Sequence, residues 1–312
     1  MKKLLMQILG WFDNKVKENE YQAKNFPAKE IDWPRVIPYL GLHLGLISLF
    51  YVGYSHIALA VFLFMYVSRM FAITGFYHRY FSHKTFKTSR LMQFFFALVG
   101  ASAVQRGPLW WASHHRRHHV HSDSDQDQHS PKVHSFFWSH TGWFLTKANF
   151  LTETRWVKEL SRFPELRLID RFDSLIPILT CVMLYGLGES LAYVYPATEV
   201  TGWQLVAWGF VFSTVILYHS TFLINSASHL WGKKRYQTQD GSKNNFFLAL
   251  LTFGEGWHNN HHHYPGSAKQ GFYWWEIDIT YYLLRILSLF GIIWDLKTVS
   301  SNVRESNKIK LK

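Results

Sequence analysis

Two long stretches without a single Lys or Arg, residues 36–68 and 172–232, constrain this chain more than anything else in it. The chain carries 33 Lys and Arg among 312 residues, so the gaps do not come from a charge-poor composition. A helix that crosses a bilayer needs roughly 20 mostly apolar residues, and each gap has room for two. The first predicts helices over 36–53 and 56–77, turning at Val52-Gly53-Tyr54. The second predicts helices over 174–195 and 202–224, turning at Pro196-Ala197-Thr198. The expected fold class is all-α, with four transmembrane helices in two hairpins and a helical cap on one side.

Charge orients the hairpins. Neither turn carries Lys or Arg, and every basic residue falls in the segments that flank the hairpins or, as Arg69, at the inner end of the second helix. Because basic loops stay inside, both termini and the cap are expected in the cytoplasm. The chain then divides into an amphipathic arm (1–35), hairpin 1 (36–77), a cytoplasmic segment (78–173), hairpin 2 (174–224), a second cytoplasmic segment (225–300) and a basic tail expected to be disordered (301–312). The net charge of +12 suits loops lying against anionic lipid. The basic residues are scattered and no nucleic-acid module is visible, so no nucleic-acid partner is expected. The opening MKKLLMQILGWFDNKVKENE has too short an apolar run and no cleavage site for a signal peptide; it reads as a helix lying on the membrane. The tail's KIKLK is weak as a retrieval signal. Cys181 is the only cysteine, which excludes disulfides and iron–sulfur ligation.

Against this background stand four histidine clusters: His78 and His83 in HRYFSH; His115, His118 and His119 in HRRHH; His229 in NSASH; and His258, His261 and His262 in HNNHH. The spacing i, i+3, i+4 in the second and fourth places three imidazoles on one helix face. Asn225 and His229 are i, i+4, just past the expected end of the fourth helix. His78 and His83 are five apart and cannot share a face of a straight α-helix, so the helix is expected to end or bulge there. Taken singly, each cluster also reads as a solvated or capping histidine. Together, all nine fall at the cytoplasmic ends of the expected membrane helices or in cytoplasmic segments, which points to metal ligation. Nine ligands exceed the four or so that one ion takes, so two ions are expected. Asp125, Asp127 and Glu255 are candidate carboxylates to orient the ligand histidines, with Asp123 an even choice. The Asp123-x-Asp125-x-Asp127 string fails as a calcium loop, with Gln128 and His134 where Gly and Glu are required.

HRYFSH, WWASHHRRHH, NSASH and GEGWHNNHH, in this order around two hairpins, resemble the membrane fatty acyl desaturases, most of all the stearoyl-CoA (delta-9) branch in a compact bacterial form. The resemblance runs from Tyr66 to Pro265. It implies a non-haem di-iron centre in the cap, one iron held by His78, His83, His115, His119 and His261, the other by His118, His229, His258 and His262, with Asn225 holding a water. It also implies the activity: O2 and two electrons are used to remove two hydrogens from neighbouring methylenes, leaving a cis double bond. The acyl-CoA or acyl-lipid chain is then measured by a closed tunnel. Phe62, Tyr66, Met70 and Thr74 recur every four residues toward His78, and the resemblance points to the same stretch as tunnel wall. No cytochrome b5-like extension is present, so a separate donor is expected, such as ferredoxin, rubredoxin or cytochrome b5 with its reductase. Lys132-Val133-His134 and Ser113-His114 depart from the residues that hold coenzyme A in animal enzymes, which leaves the acyl carrier open. A bacterial inner membrane is the expected location, with the endoplasmic reticulum as alternative. Competing readings are a lipid hydroxylase on the same scaffold and a metal-binding membrane protein without catalysis.

Overall fold

The computed structural model describes residues 2–22, 24 and 26–309. Four helices are long and apolar enough to cross a membrane: Trp33–Val52 (α3), His56–Ser82 (α4), Leu175–Val194 (α8) and Gly202–His229 (α9). Before them lie α1 (Lys2–Phe12) and α2 (Lys15–Gln22). Between the hairpins come α5 (Arg90–Ala101), α6 (Pro108–His121) and α7 (Pro164–Arg171). After them come α10 (Phe246–Leu251), α11 (His258–His263), α12 (Ile279–Leu289) and α13 (Ser301–Glu305). The only sheet among the described residues pairs Lys87–Thr88 with Ile293–Trp294, antiparallel. It ties the start of the first cap segment to the end of the second.

Local chemistry sets the hairpins. Gly53 takes φ +68° in the first turn, a conformation that costs glycine nothing, and the Ser55 hydroxyl accepts from Ala58 N to start α4. In the second turn Glu199 is left-handed (φ 51°) and Thr201 caps α9. α8 and α9 cross closely at small residues: a Cβ on Gly188 would lie 2.6 Å from Gly202 Cα. Such contacts let membrane helices meet backbone to backbone. Phe50, Phe64, Val182, Met183 and Trp203 face outward, where lipid rather than water is the solvent. Arg69 is fully buried in α4 and donates to Met65 O (2.9 Å), Ser102 O (3.1 Å), Thr214 Oγ1 (2.7 Å) and Ser213 Oγ. Its guanidinium thereby clamps α4 to α9 and to the turn after α5. His43 and His219, both half-buried, meet across α3 and α9 at 3.1 Å.

Three sequence expectations change. α4 runs past residue 77 to Ser82, and α9 past 224 to His229. Their polar ends are buried in the cap, so polarity does not end the helix. In α4, Ala72–Ser82 is π-helical, and His83 N bonds His78 O (3.2 Å). This i→i+5 bond is the expected bulge, and it sets His83 one turn above His78 on the same face. The tail expected to be disordered is helical over Ser301–Glu305. Tyr236 donates to Arg304 O (2.8 Å), His263 Nε2 to Val303 O (2.9 Å) and Ile309 N to Arg235 O (2.8 Å). Residues 310–312, including most of KIKLK, lie outside the described residues. In the arm, Met6, Ile8, Leu9, Trp11 and Phe12 of α1 stand exposed on the face expected to meet the membrane.

Candidate metal centre and adjoining cavity

The nine histidines gather into two sets. His78, His83, His115, His119 and His261 form one, and His118, His229, His258 and His262 the other; within each, the ligand nitrogens lie within 4.8 Å of one another. In the five-member set Nε2 atoms face each other in a chain: His83 to His115 at 2.8 Å, His115 to His119 at 3.1 Å, His119 to His261 at 2.9 Å and His261 to His78 at 3.1 Å. In the four-member set His229 Nε2 meets His258 Nε2 at 3.1 Å. The elements explain the gathering. α6 supplies three members on one face, the single turn of α11 supplies three, and the π-helical end of α4 and the 3₁₀ end of α9 supply the rest.

Burial pushes the His83, His115, His119, His258 and His261 imidazoles well below their ordinary value. It lowers His262 to about 4. These rings are neutral, as a metal ligand must be. His118 is the exception: burial lowers it, but Asp127, Asp123 and Asp240 together raise it above the ordinary value. The outer nitrogens are braced by carboxylates. His118 Nδ1 donates to Asp127 (3.1 and 3.2 Å), His229 Nδ1 to Asp123 (3.1 Å), His262 Nδ1 to Asp240 (2.7 Å) and His78 Nδ1 to Glu255. Such a bond fixes the tautomer and turns the Nε2 lone pair inward. His262 Nε2 is buried with no protein partner. Converging imidazole lone pairs with the protons held outside fit metal cations, and imidazole suits iron among the first-row metals.

Of the expected bracing carboxylates, Asp127 and Glu255 hold their places. Asp125 does not: it is exposed and touches no histidine. The chain reverses after α6 with Asp123 left-handed (φ 58°), which turns Asp123 inward and Asp125 out. Asp240 was not anticipated, because it lies 22 residues from His262 with no spacing that links them. Arg79, inside the first cluster, is wholly buried between Glu255 (3.0 Å) and Asp278 (2.9 Å) and so positions the carboxylate that holds His78. Gln270 reaches Glu255 (3.0 Å) and His78 Nδ1 (3.3 Å). His129 stacks on His118 with ring centres 4.3 Å apart.

A cavity of about 490 Å³ runs from the cap into the membrane half and touches the cluster at His115, beside Trp111 and Asn225. This size is that of small-ligand sites. Its wall comes from α3 (Tyr39, Leu42), α8 (Ile178, Cys181) and α9 (Phe210, Phe222). Among the described residues its deepest lining positions on these three helices are Leu42, Cys181 and Phe210. Phe62, Tyr66, Met70 and Thr74 do not line it. Their stripe faces the other way: Phe62 stacks on Phe212, Tyr66 donates to Leu251 O (2.8 Å), Met70 is fully buried, and Thr74 meets Thr280 at 2.7 Å. The four residues expected in a tunnel wall therefore lie outside this cavity. The periodicity was sound, but it marks the face of α4 that packs on α9, α10 and α12.

Two membrane-length helical hairpins under a polyhistidine cap, with a largely apolar cavity reaching one histidine set, fit a membrane protein with a metal site in its cap. Residues 54–288 match the family model "Fatty acid desaturase", and the chain belongs to that family. It is 37% identical over 85% of its length to the sn-2 palmitoyl-lipid 9-desaturase of Nostoc sp., covering 90% of that protein. It is 35% identical to the sn-1 stearoyl-lipid 9-desaturase of Anabaena variabilis, covering 86% of this chain and 94% of the relative. To the icosanoyl-CoA 5-desaturase of Limnanthes douglasii it is 35% identical, over 94% of this chain and 80% of the relative.

Proposed function

We propose that this membrane fatty acyl desaturase introduces a cis double bond at the ninth carbon of a saturated acyl chain esterified to a lipid, using two irons, O2 and two electrons. The largely apolar cavity that runs from the cap into the membrane half past His115 is the observation that carries this reading. A saturated chain offers no functional group for recognition, so position along a closed tunnel must select the bond. His78, His83, His115, His119 and His261 would hold one iron, and His118, His229, His258 and His262 the other, with Asn225 retaining a water at the cavity wall. When bound, the irons supply the oxygen chemistry that the protein cannot. The chain's own residues do the rest: Asp123, Asp127, Asp240 and Glu255 hold the protons on the outer nitrogens, Trp111 and Phe222 exclude water, and Leu42, Cys181 and Phe210 stop the methyl end. The names of the cyanobacterial relatives support the lipid carrier and the ninth carbon.

Electrons would come from a separate carrier such as a ferredoxin, a rubredoxin or cytochrome b5. The absence of basic residues from both hairpin turns supports an orientation with both termini in the cytoplasm, in a bacterial inner membrane. Lipid analysis of a host that makes no monoenes, expressing this chain, tests the reading. New cis Δ9 monoenes support it; hydroxy acids would assign a hydroxylase on the same scaffold; an unchanged profile, with two irons present per purified chain, would remove the activity.

A further inference from the structure

The cytoplasmic end of the long cavity opens beside a second, more polar pocket of about 450 Å³, and the two share Asn14, Arg106 and Phe150. The second pocket lies between the arm and α7. Lys15, Arg106, Arg167 and Arg171 line it against only Glu18 and Asp170. At the junction, Arg35 and Arg106 each place the guanidinium carbon 4.7 Å from the centre of the Phe150 ring. Arg106 pairs with Asp173 (2.7 Å) and donates to Phe150 O (3.2 Å), yet its Nη1 is buried without an acceptor, and so is Nη1 of Arg35. Two buried guanidinium donors left open toward one cavity are costly unless a ligand supplies oxygens.

From this we infer that the acyl donor is phosphate-bearing, with its anionic oxygens taken by Arg35 and Arg106 at the junction and its head group seated in the polar pocket beneath the arm. The inference rests on the reading of the long cavity as the acyl site. A guanidinium presents a planar fork that matches phosphate oxygens in pairs. The junction is also where the ester end of a buried chain emerges. In a phosphoglycerolipid the phosphate follows the ester by a few bonds, which places it at these arginines. In an acyl-CoA the phosphates lie at the far end of the pantetheine arm, toward Arg167 and Arg171. A galactolipid offers hydroxyls alone and leaves both open donors without a charge to meet.

Trp110, Trp111 and Trp143 line the cavity, so a brominated stearoyl chain seated there quenches their fluorescence whether or not the enzyme turns over. The full-length protein is titrated with that chain on phosphatidylglycerol, on monogalactosyldiacylglycerol and on coenzyme A. The phosphate-bearing ligands should bind about tenfold tighter than the galactolipid, equivalent to about 1.4 kcal/mol. Arg35→Gln and Arg106→Gln should erase the preference for the phosphatidylglycerol chain while the galactolipid still quenches. Arg167 is exposed and forms no ion pair among the described residues, so Arg167→Glu provides a variant that does not threaten folding; it should weaken the phosphate ligands severalfold at low salt and spare the galactolipid. Whichever phosphate carrier binds tighter identifies the source. Equal quenching by all three heads, or a preference that survives all three variants, overturns the phosphate clamp and leaves the acyl reading intact. No quenching by any ligand overturns both.

Discussion

The two histidine sets differ in how they are held. In the five-member set only His78 leans on a carboxylate, Glu255, and that carboxylate is shared with Arg79. Among the described residues His83, His115, His119 and His261 pair with no carboxylate. In the four-member set three of the four rings each lean on their own carboxylate, Asp127, Asp123 and Asp240. Burial pushes those three carboxyls up, but the histidines facing them outweigh it and hold all three well below the usual range. One set thus relies on ligand number, the other on charge. The lesson is that two neighbouring sets of the same ligand type need not be supported equally. The smaller set depends on residues outside the histidine motifs, and the larger has a ring in reserve.

The most severe test removes a ligand from each set. His258→Ala should leave three rings and lose one of two ions per purified chain, while His83→Ala should leave four rings and keep both ions. Both variants should lose product formation. Metal analysis showing equal loss from both would break the comparison.

Next come the braces. Asp240→Asn and Asp123→Asn should each weaken metal retention by about 10- to 100-fold, read by competition with a chelator. Glu255→Gln should do less, because one braced ring among five is affected. If Glu255→Gln proves the most damaging of the three, charge is not what distinguishes the sets.

Acid should act on the metal-free protein in a fixed direction. Burial holds His83, His115, His119, His258, His261 and His262 below the ordinary 6.5, with His262 at about 4. Between those values the unfolded chain binds more protons than the folded one, so stability falls as pH falls from about 6.5 toward about 4. Thermal unfolding in detergent should show this slope. His83→Gln should flatten it, since burial depresses His83 with no carboxylate to offset it. His118→Gln should not, because its carboxylates raise that ring instead. A midpoint that does not change over this range would mean the rings are not buried neutral.

The smallest effect is the control. Asp125→Asn should shift stability by no more than about 0.5 kcal/mol and leave metal content unchanged, because Asp125 is exposed and braces nothing. Measurable metal loss would mean the turn after α6 presents a different carboxylate inward.

The membrane hairpins, their turns and the nine histidines were legible because each leaves a short-range mark. A gap in Lys and Arg marks a segment that cannot hold charge in lipid, and i, i+3, i+4 spacing marks one helix face. The division of the rings into five and four came from family resemblance, and the nitrogen positions gather them in the same two groups. The Phe62–Thr74 stripe shows the limit. Its period correctly marks a packed face, but a period names no partner, and the face turned out to meet protein rather than the cavity.

The sequence by itself determined a four-helix membrane protein with a polyhistidine centre, because bilayer thickness and helix periodicity act along the chain. Only the tertiary structure decided which carboxylates brace the rings, where the cavity beside His115 runs and where Arg35 meets Arg106. Asp240 and His262, or Arg35 and Phe150, are joined by nothing local. They become neighbours only when the cap closes, since a buried charge is stable only where distant segments bring it a partner.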